Sequence, residues 1–186
     1  MPDSIDDLFA SLDKPADRPV HPAALENEVL LSQCTLEHKT SGGPGGQHRN
    51  RNKNAVWITH RPTALQAHAT EQRHTEDNKR IALRRLRLEL AVHHRVHVPD
   101  GEIRSELWKS RTKSGRIVLS AKHADYPIML AEALDVLDAA GYDPRKAATR
   151  LAVSPTQLIR MVAEHHPALV EVNAQRAKRG QHDLRS

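Results

Sequence analysis

Cysteine is almost absent from this chain of 186 residues. Cys34 stands alone, so no internal disulfide can form and zinc sites built on paired cysteines are excluded. No apolar run approaches the roughly 20 residues that a membrane helix needs. The N-terminus is acidic where a signal peptide starts basic. These absences predict a cytoplasmic protein with no membrane partner. Acids are missing where they are most informative: from His38 to Thr70 there are five bases, Lys39, Arg49, Arg51, Lys53 and Arg61, and no acid. The glycine-rich stretch inside that interval, "SGGPGGQHRN" (41–50), lacks the Gly-Lys-Ser/Thr ending of a nucleotide P-loop and the spacing of a dinucleotide fingerprint.

What is present is a charge asymmetry. The formal net charge is +5 and the sequence pI about 9.6. Residues 1–28 hold seven acids and two bases, leaving 26 bases against 16 acids downstream. A basic body with an acidic arm favours a polyanionic partner, nucleic acid above all. Prolines at 2, 15, 19 and 22 within the arm predict a mobile segment.

From Glu28, "EVLLSQCTLEHK" predicts a strand leading into the glycine loop, and "AVWITH" (55–60) a second strand. Arg61–Thr63 forms a turn with Pro62 at its second position. Ala64–Gln72 is a third, alanine-weakened strand. Thr75 to about His94 is an amphipathic helix: Ile81, Leu83, Leu86, Leu90 and Ala91 recur at helical spacing, with Lys79, Arg80, Arg84, Arg85 and Arg87 assigned to the outer face and Thr75 to the N-cap. Residues 99–127, with six bases between Arg104 and Lys122, predict a basic linker with one short strand at 116–119. The last third is helical. Gly141 suits a helix end; Asp143-Pro144 and Ser154-Pro155 suit helix starts, and the short break between them matches a helix-turn-helix.

Four glycines around one proline need a reason, because glycine in ordered structure costs about 0.5–1 kcal/mol relative to alanine. Gly45-Gly46-Gln47 allows an uncommon backbone path that presses the next N–H against a substrate, which is an oxyanion stabiliser built from main chain. No serine–histidine or cysteine–histidine pairing marks a protein nucleophile, so water attacks. His48 adjoins the loop either as a base or as a simple RNA contact.

Residues 29–95 resemble the catalytic domain of class I peptide chain release factors and their stand-alone relatives that rescue stalled ribosomes. The resemblance rests on Gly43-x-Gly45-Gly46-Gln47-x-x-Asn50, then Val56, His60-x-Pro62-Thr63, Gln72-Arg73 and Asn78-Lys79. It implies hydrolysis of the peptidyl-tRNA ester in the ribosomal peptidyl-transferase centre. The backbone N–H of Gln47 then stabilises the oxyanion and leaving group, its side chain positions water, and Gly45 and Gly46 permit the path. Catalytic residues are therefore expected at Gly45, Gly46 and Gln47. RNA contacts are expected at Lys39, Ser41, Gly43, His48, Arg49, Asn50, Arg51, Lys53, Arg73, Arg84 and Arg85, with Arg87 extending the collar. The implied partners are large-subunit rRNA, peptidyl-tRNA and a glutamine methyltransferase acting on Gln47, with the protein itself a monomer.

The expected fold is α+β: a small GGQ-type catalytic domain of three to four strands packed with one long helix, followed by a helical, helix-turn-helix-like C-terminal domain. Its divisions are an acidic arm (1–28), the catalytic domain (29–98), the linker (99–127) and the helical domain with a basic tail (128–186). The chain departs from the family at Gly42, usually a small hydroxyl residue, at Ala64, often glycine, and at Arg51, usually lysine in rescue relatives. Only the acidic arm precedes the catalytic domain, where decoding release factors carry a codon-reading domain, so codon-independent release is expected. The alternative is a non-catalytic RNA- or DNA-binding adaptor or regulator using the helix-turn-helix with Arg145, Lys146, Arg150 and Arg160. Arg176, Lys178, Arg179 and Arg185 make only a thin basic tail. Histidines 93, 94, 97, 165 and 166 lack an acid placed as a third ligand, and neither a metal nor any cofactor is expected.

Overall fold

The computed structural model describes residues 18–39 and 54–185 and divides the chain into two compact units. Among the described residues no helix is long and apolar enough to cross a membrane.

The sheet unit comprises His21–His94 with Ala124–Ala131. After a 3-10 turn at Pro22–Ala24, helix α1 (Asn27–Ser32) precedes strand β1 (Cys34–Lys39). The strand expected from Glu28 thus begins six residues later. Helix α1 depends on a long-range clamp: Arg87 donates to Ala23 O, to Leu25 O at 2.7 Å and to Asn27 Oδ1 at 2.9 Å. Strands β2 (Ala55–His60) and β3 (Gln66–Ala69) complete an antiparallel sheet in the order β1-β2-β3. Alternation buries Val56, Ile58 and His60 of β2 with Ala67 and Ala69 of β3. Helix α2 (Thr75–His93) packs on β2 and β3. The two alanines let the helix approach closely, so packing overrides their poor strand propensity. Fully buried Ile58, Leu86 and Leu90 are each worth about 2 kcal/mol of apolar burial. His74, not Thr75, occupies the N-cap position of α2.

Arg87 does not join the outer basic face. It lies four residues after Leu83 and three before Leu90, in phase with the buried stripe, and its guanidinium is consumed by the clamp on α1. Burial lowers its pKa, opposed by the charge of Glu26.

The helical unit comprises the residues preceding His21, Arg95–His123 and Glu132–Ser186. Residues 99–127, expected as a linker with one short strand, instead hold helix α3 (Glu106–Ser110) and a hairpin of β4 (Thr112–Lys113) and β5 (Arg116–Ile117). Ser105 caps α3 by accepting from Trp108 N at 3.0 Å. Trp108 is fully buried and its Nε1–H donates to Leu151 O at 2.9 Å, which anchors this basic segment to the unit's core. Helix α4 (Tyr126–Ala139), which belongs to this unit from Glu132 onward, ends at Gly141, whose φ of 64° permits the bond from Tyr142 N to Leu137 O at 2.7 Å. Helices α5 (Pro144–Arg150) and α6 (Pro155–Ala163) start at side-chain caps: Asp143 accepts from Arg145 N and Lys146 N, and Ser154 from Gln157 N. Ala152, φ 51°, makes the turn between them. Helix α7 (His166–Ala177) follows.

The buried carboxylates of α4 organise this unit. Glu132 accepts from Ser105 N at 2.8 Å and from Ser105 Oγ. Asp135 accepts from Val96 N at 3.2 Å and faces Arg18 at 3.1 Å and Arg95 at 3.5 Å. Burial raises the pKa of both, and Asp135 is pushed up to about 6. At the C-terminal end, Arg176 donates to Tyr142 O and to His182 O, while Arg179 sits over the Tyr142 ring at 4.7 Å. Two of the bases expected in the tail are thus engaged within the fold.

Candidate functional site

Gly45, Gly46 and Gln47 lie outside the described residues, as do Ser41, Gly43, His48, Arg49, Asn50, Arg51 and Lys53. What the structure describes is the stem on which that segment is mounted. Lys39 and Ala55 are direct partners at one end of the β1–β2 ladder. The described ladder of β1 and β2 therefore ends at one rung on both strands.

The stem is closed by an amide clasp. Asn78, on the first turn of α2, is fully buried. Its Nδ2 donates to Asn54 O at 2.7 Å and to Gln72 O at 2.9 Å, and its Oδ1 accepts from Gln72 N at 2.9 Å. Asn54 reciprocates, its Nδ2 donating to Arg73 O at 2.7 Å. Two donated bonds and one accepted bond from a single side chain are a set that an amide supplies and that neither a carboxylate nor a hydroxyl supplies in full. The Gln72-Arg73 and Asn78 positions of the motif are thereby one physical device, which ties the C-terminal end of the glycine segment to the start of α2. In the sequence these residues belong to the motif without a role of their own. The available signal was a polar side chain in phase with Ala82, Leu86 and Leu90 of the buried stripe.

A second device holds the far end of β2. His60 is buried, with Nε2 3.0 Å from Gln33 Oε1 and Nδ1 2.8 Å from Thr63 Oγ1. A neutral ring satisfies both by donating from Nε2 and accepting at Nδ1. Its pKa is lowered, first by burial and then by His94 and Arg61, in keeping with the neutral form. The turn that follows needs a left-handed residue, and Ala64 adopts φ 57° there. Glycine is favoured at such a position because alanine is strained in it. Arg61 donates to Cys34 O at 2.7 Å and Ser32 O at 2.6 Å, binding the turn to the end of α1.

The sheet face turned away from α2 bears a stacking surface. Trp57 and His68, direct partners across β2 and β3, stack with ring centroids 4.2 Å apart and planes 12° from parallel. Lys39 Nζ lies 4.6 Å from the Trp57 ring centroid and 2.8 Å from Glu37. An exposed cation beside a paired aromatic surface, next to a basic loop, suits phosphate and base contact. Trp57 and His68 were absent from the expected RNA-facing residues; strand alternation, which turns position 57 outward, was the signal.

The other residues expected to face RNA behave differently from one another. Arg73 is exposed beside the clasp, and Arg84 is partly exposed on α2. Arg85 is exposed but committed, donating to His68 O at 2.7 Å and to Glu71 at 2.5 Å; that bond, first among several causes, lowers the Glu71 pKa. Cys34 is no nucleophile: it is buried, its thiol donates to Leu30 O at 3.1 Å, and burial raises its pKa against the influence of Arg61. Among the described residues no group of His, Cys, Asp and Glu could hold a metal ion.

Comparison with known proteins places this stem in context. The RF-1 domain family matches residues 25–125. The chain is 32% identical over 94 residues to peptide chain release factor 1 of Burkholderia multivorans, covering 50% of this chain and 26% of that protein. It is 30% identical over 96 residues to peptide chain release factor 2 of Petrotoga mobilis, covering 48% and 26%. With peptide chain release factor 1 of Rhodospirillum rubrum it shares 36% identity over 98 residues, covering 52% and 27%. The chain thus spans about a quarter of the length of these relatives.

Proposed function

This chain belongs to the RF-1 domain family, and from that membership we propose that it hydrolyses the peptidyl-tRNA ester in the ribosomal peptidyl-transferase centre, releasing nascent chains from stalled ribosomes or large subunits without reading a codon. The observation that carries the reading is the intact Gly43-x-Gly45-Gly46-Gln47-x-x-Asn50 motif inside the matched residues. In this mechanism water attacks the carbonyl carbon that joins the peptide to the terminal ribose. The C–O bond to the ribose breaks, the ribose oxygen takes a proton, and the peptide leaves with a free carboxylate. The Gln47 backbone N–H bears on the developing oxyanion and leaving oxygen, Gly45 and Gly46 permit the backbone path, and the Gln47 side chain places the water.

The amide clasp and the Trp57–His68–Lys39 surface support this reading, since the first fixes the mounting of the loop and the second suits ribosomal RNA. In domain terms the sheet unit is the GGQ domain and the helical unit an appended, helix-turn-helix-like module. Decoding release factors read codons with a tripeptide such as Pro-x-Thr or Ser-Pro-Phe; codon independence is consistent with Ser154-Pro155-Thr156 being used here as a helix start, with Ser154 Oγ accepting from Gln157 N at 3.2 Å. The working partners are large-subunit rRNA and peptidyl-tRNA, with a glutamine methyltransferase acting on Gln47.

The test is peptide release from purified ribosomes carrying labelled peptidyl-tRNA, with the A site empty, holding a sense codon or holding a stop codon. Release is expected in all three states. Gln47→Ala should retain part of the activity, because the backbone N–H remains, whereas Gly46→Ala should lose most of it, because a Cβ obstructs the path. A fully active Gly46→Ala contradicts the mechanism; no release in any state replaces it with the non-catalytic adaptor.

A further inference from the structure

The helical unit carries a basic hairpin. Residues 107–124 contain Lys109, Arg111, Lys113, Arg116 and Lys122 and no acid; Lys109 pairs with Glu106 at 3.0 Å, which leaves the charge of the Lys113–Arg116 turn to be explained. The hairpin turn is Lys113-Ser114-Gly115-Arg116, with φ of 47° at Ser114 and 73° at Gly115, the pattern of a tight type I′ turn. Its closing rung sets Lys113 directly opposite Arg116. Both are exposed, and neither has an acid partner among the described residues. Like charges directly opposite one another weaken a ladder, and this ladder has only two rungs. A local rule broken in the smallest element of the fold marks a surface shaped by a ligand.

That rung is held rigidly against the helix-turn-helix. Ser154 N donates to Gly115 O at 3.2 Å and Ile117 N to Gln157 Oε1 at 3.3 Å, so the turn sits at the start of α6. Val118 N donates to Arg111 O at 2.8 Å, and Thr112 Oγ1 to Trp108 O at 3.0 Å, fixing the other end to α3. Beside the turn, the exposed positions of α6 are Pro155, Thr156 and, one turn on, Arg160. Gln157, the side chain there best suited to a base edge, is occupied by Ile117. The result is positive charge on a fixed frame with almost nothing that reads sequence.

We propose that the β4–β5 turn and the start of α6 form a second RNA-binding site, in which Lys113, Arg116 and Arg160 contact the phosphates of a structured RNA helix without reading its bases. The choice of RNA rests on the ribosomal role proposed above; the site itself rests on the docked hairpin. It gives the helical unit a placing function that the thin tail, with Arg176 and Arg179 engaged in the fold, does not supply.

The experiment uses the full chain and a 20-base-pair RNA duplex of arbitrary sequence, with binding followed by fluorescence anisotropy across a salt series. Lys113→Ala/Arg116→Ala should reduce the slope of log K against log salt by about two, one for each phosphate that is no longer neutralised. Lys113→Glu separates binding from folding, because it converts the rung to an opposite-charge pair. Its melting temperature should equal or exceed that of the parent while RNA affinity falls about tenfold or more. Unchanged affinity and slope overturn the proposal, and so does a Lys113→Glu protein that loses affinity and melting temperature together. A DNA duplex of the same sequence bound as tightly as the RNA overturns the assignment to RNA. Absence of peptide release alongside hairpin-dependent RNA binding removes the enzymatic reading and leaves this site standing.

Discussion

Replacing Asn78 should show how much of the loop's mounting one side chain supplies. Asn78→Ala removes three hydrogen bonds, to Asn54 O, to Gln72 O and from Gln72 N, at a position with no solvent access. At about 1 kcal/mol net for each, the loss is about 3 kcal/mol. Asn78→Asp is the more discriminating change. It keeps an acceptor for Gln72 N but turns the donor into a second oxygen aimed at two carbonyls. A buried carboxylate so placed holds its proton, so its pKa in the folded state lies above the ordinary value. The sign follows: the aspartate variant's stability is fullest below pH 4 and is lost as the pH rises through the raised pKa. Urea denaturation at pH 4 and pH 7 should therefore find Asn78→Asp near Asn78→Ala in acid and less stable than it at neutrality. In a release assay both variants should slow single-turnover hydrolysis more than they weaken ribosome binding, because the loop is displaced while the basic surfaces remain. An Asn78→Ala protein within about 0.5 kcal/mol of the parent, or an aspartate variant indifferent to pH, refutes the clasp.

Ala64 and Ala152 both hold positive φ, 57° and 51°. Ala64→Gly and Ala152→Gly should each raise stability by about 0.5–1 kcal/mol, read from thermal or urea midpoints, despite the extra freedom of glycine in the unfolded chain. Asp135, its pKa pushed up to about 6 by burial although the Val96 N–H, Arg95 and Arg18 oppose the shift, contributes stability that is complete below pH 4 and lost as the pH rises through 6. From an ordinary value of 3.8 the contribution is about 3 kcal/mol. Urea midpoints measured from pH 4 to pH 8 should show this decline in the parent and its absence in Asp135→Asn; parallel profiles would count against it.

The features legible from sequence are those governed by neighbours along the chain. The β2 strand, the long helix at 75–93 and the capped starts at Asp143 and Ser154 follow from residue spacing and from bonds spanning a few positions. So does the helix end at Gly141. The glycine motif and its company of matched residues were equally local, and they led to the family. The errors share an opposite cause. Glu28 to Ser32 looks extended because Val29, Leu30 and Leu31 suit a strand, yet a guanidinium 60 residues away holds Asn27 and the carbonyls before it in a helical start. Arg87 looks solvent-facing as an arginine, although its phase on α2 is that of the core.

Residues 99–127 look like a linker because their composition is basic. Trp108, buried against Leu151, draws them into a packed unit. Asn78 was visible as a letter in a motif, but only the return of Asn54 and Gln72 to the same point in space made it a clasp. Sequence alone determined the elements whose energetics are settled within a few residues, and the glycine motif that points to the family. Tertiary structure decided which polar side chains are withdrawn from solvent, because a buried amide or guanidinium must find its partners wherever the folded chain brings them.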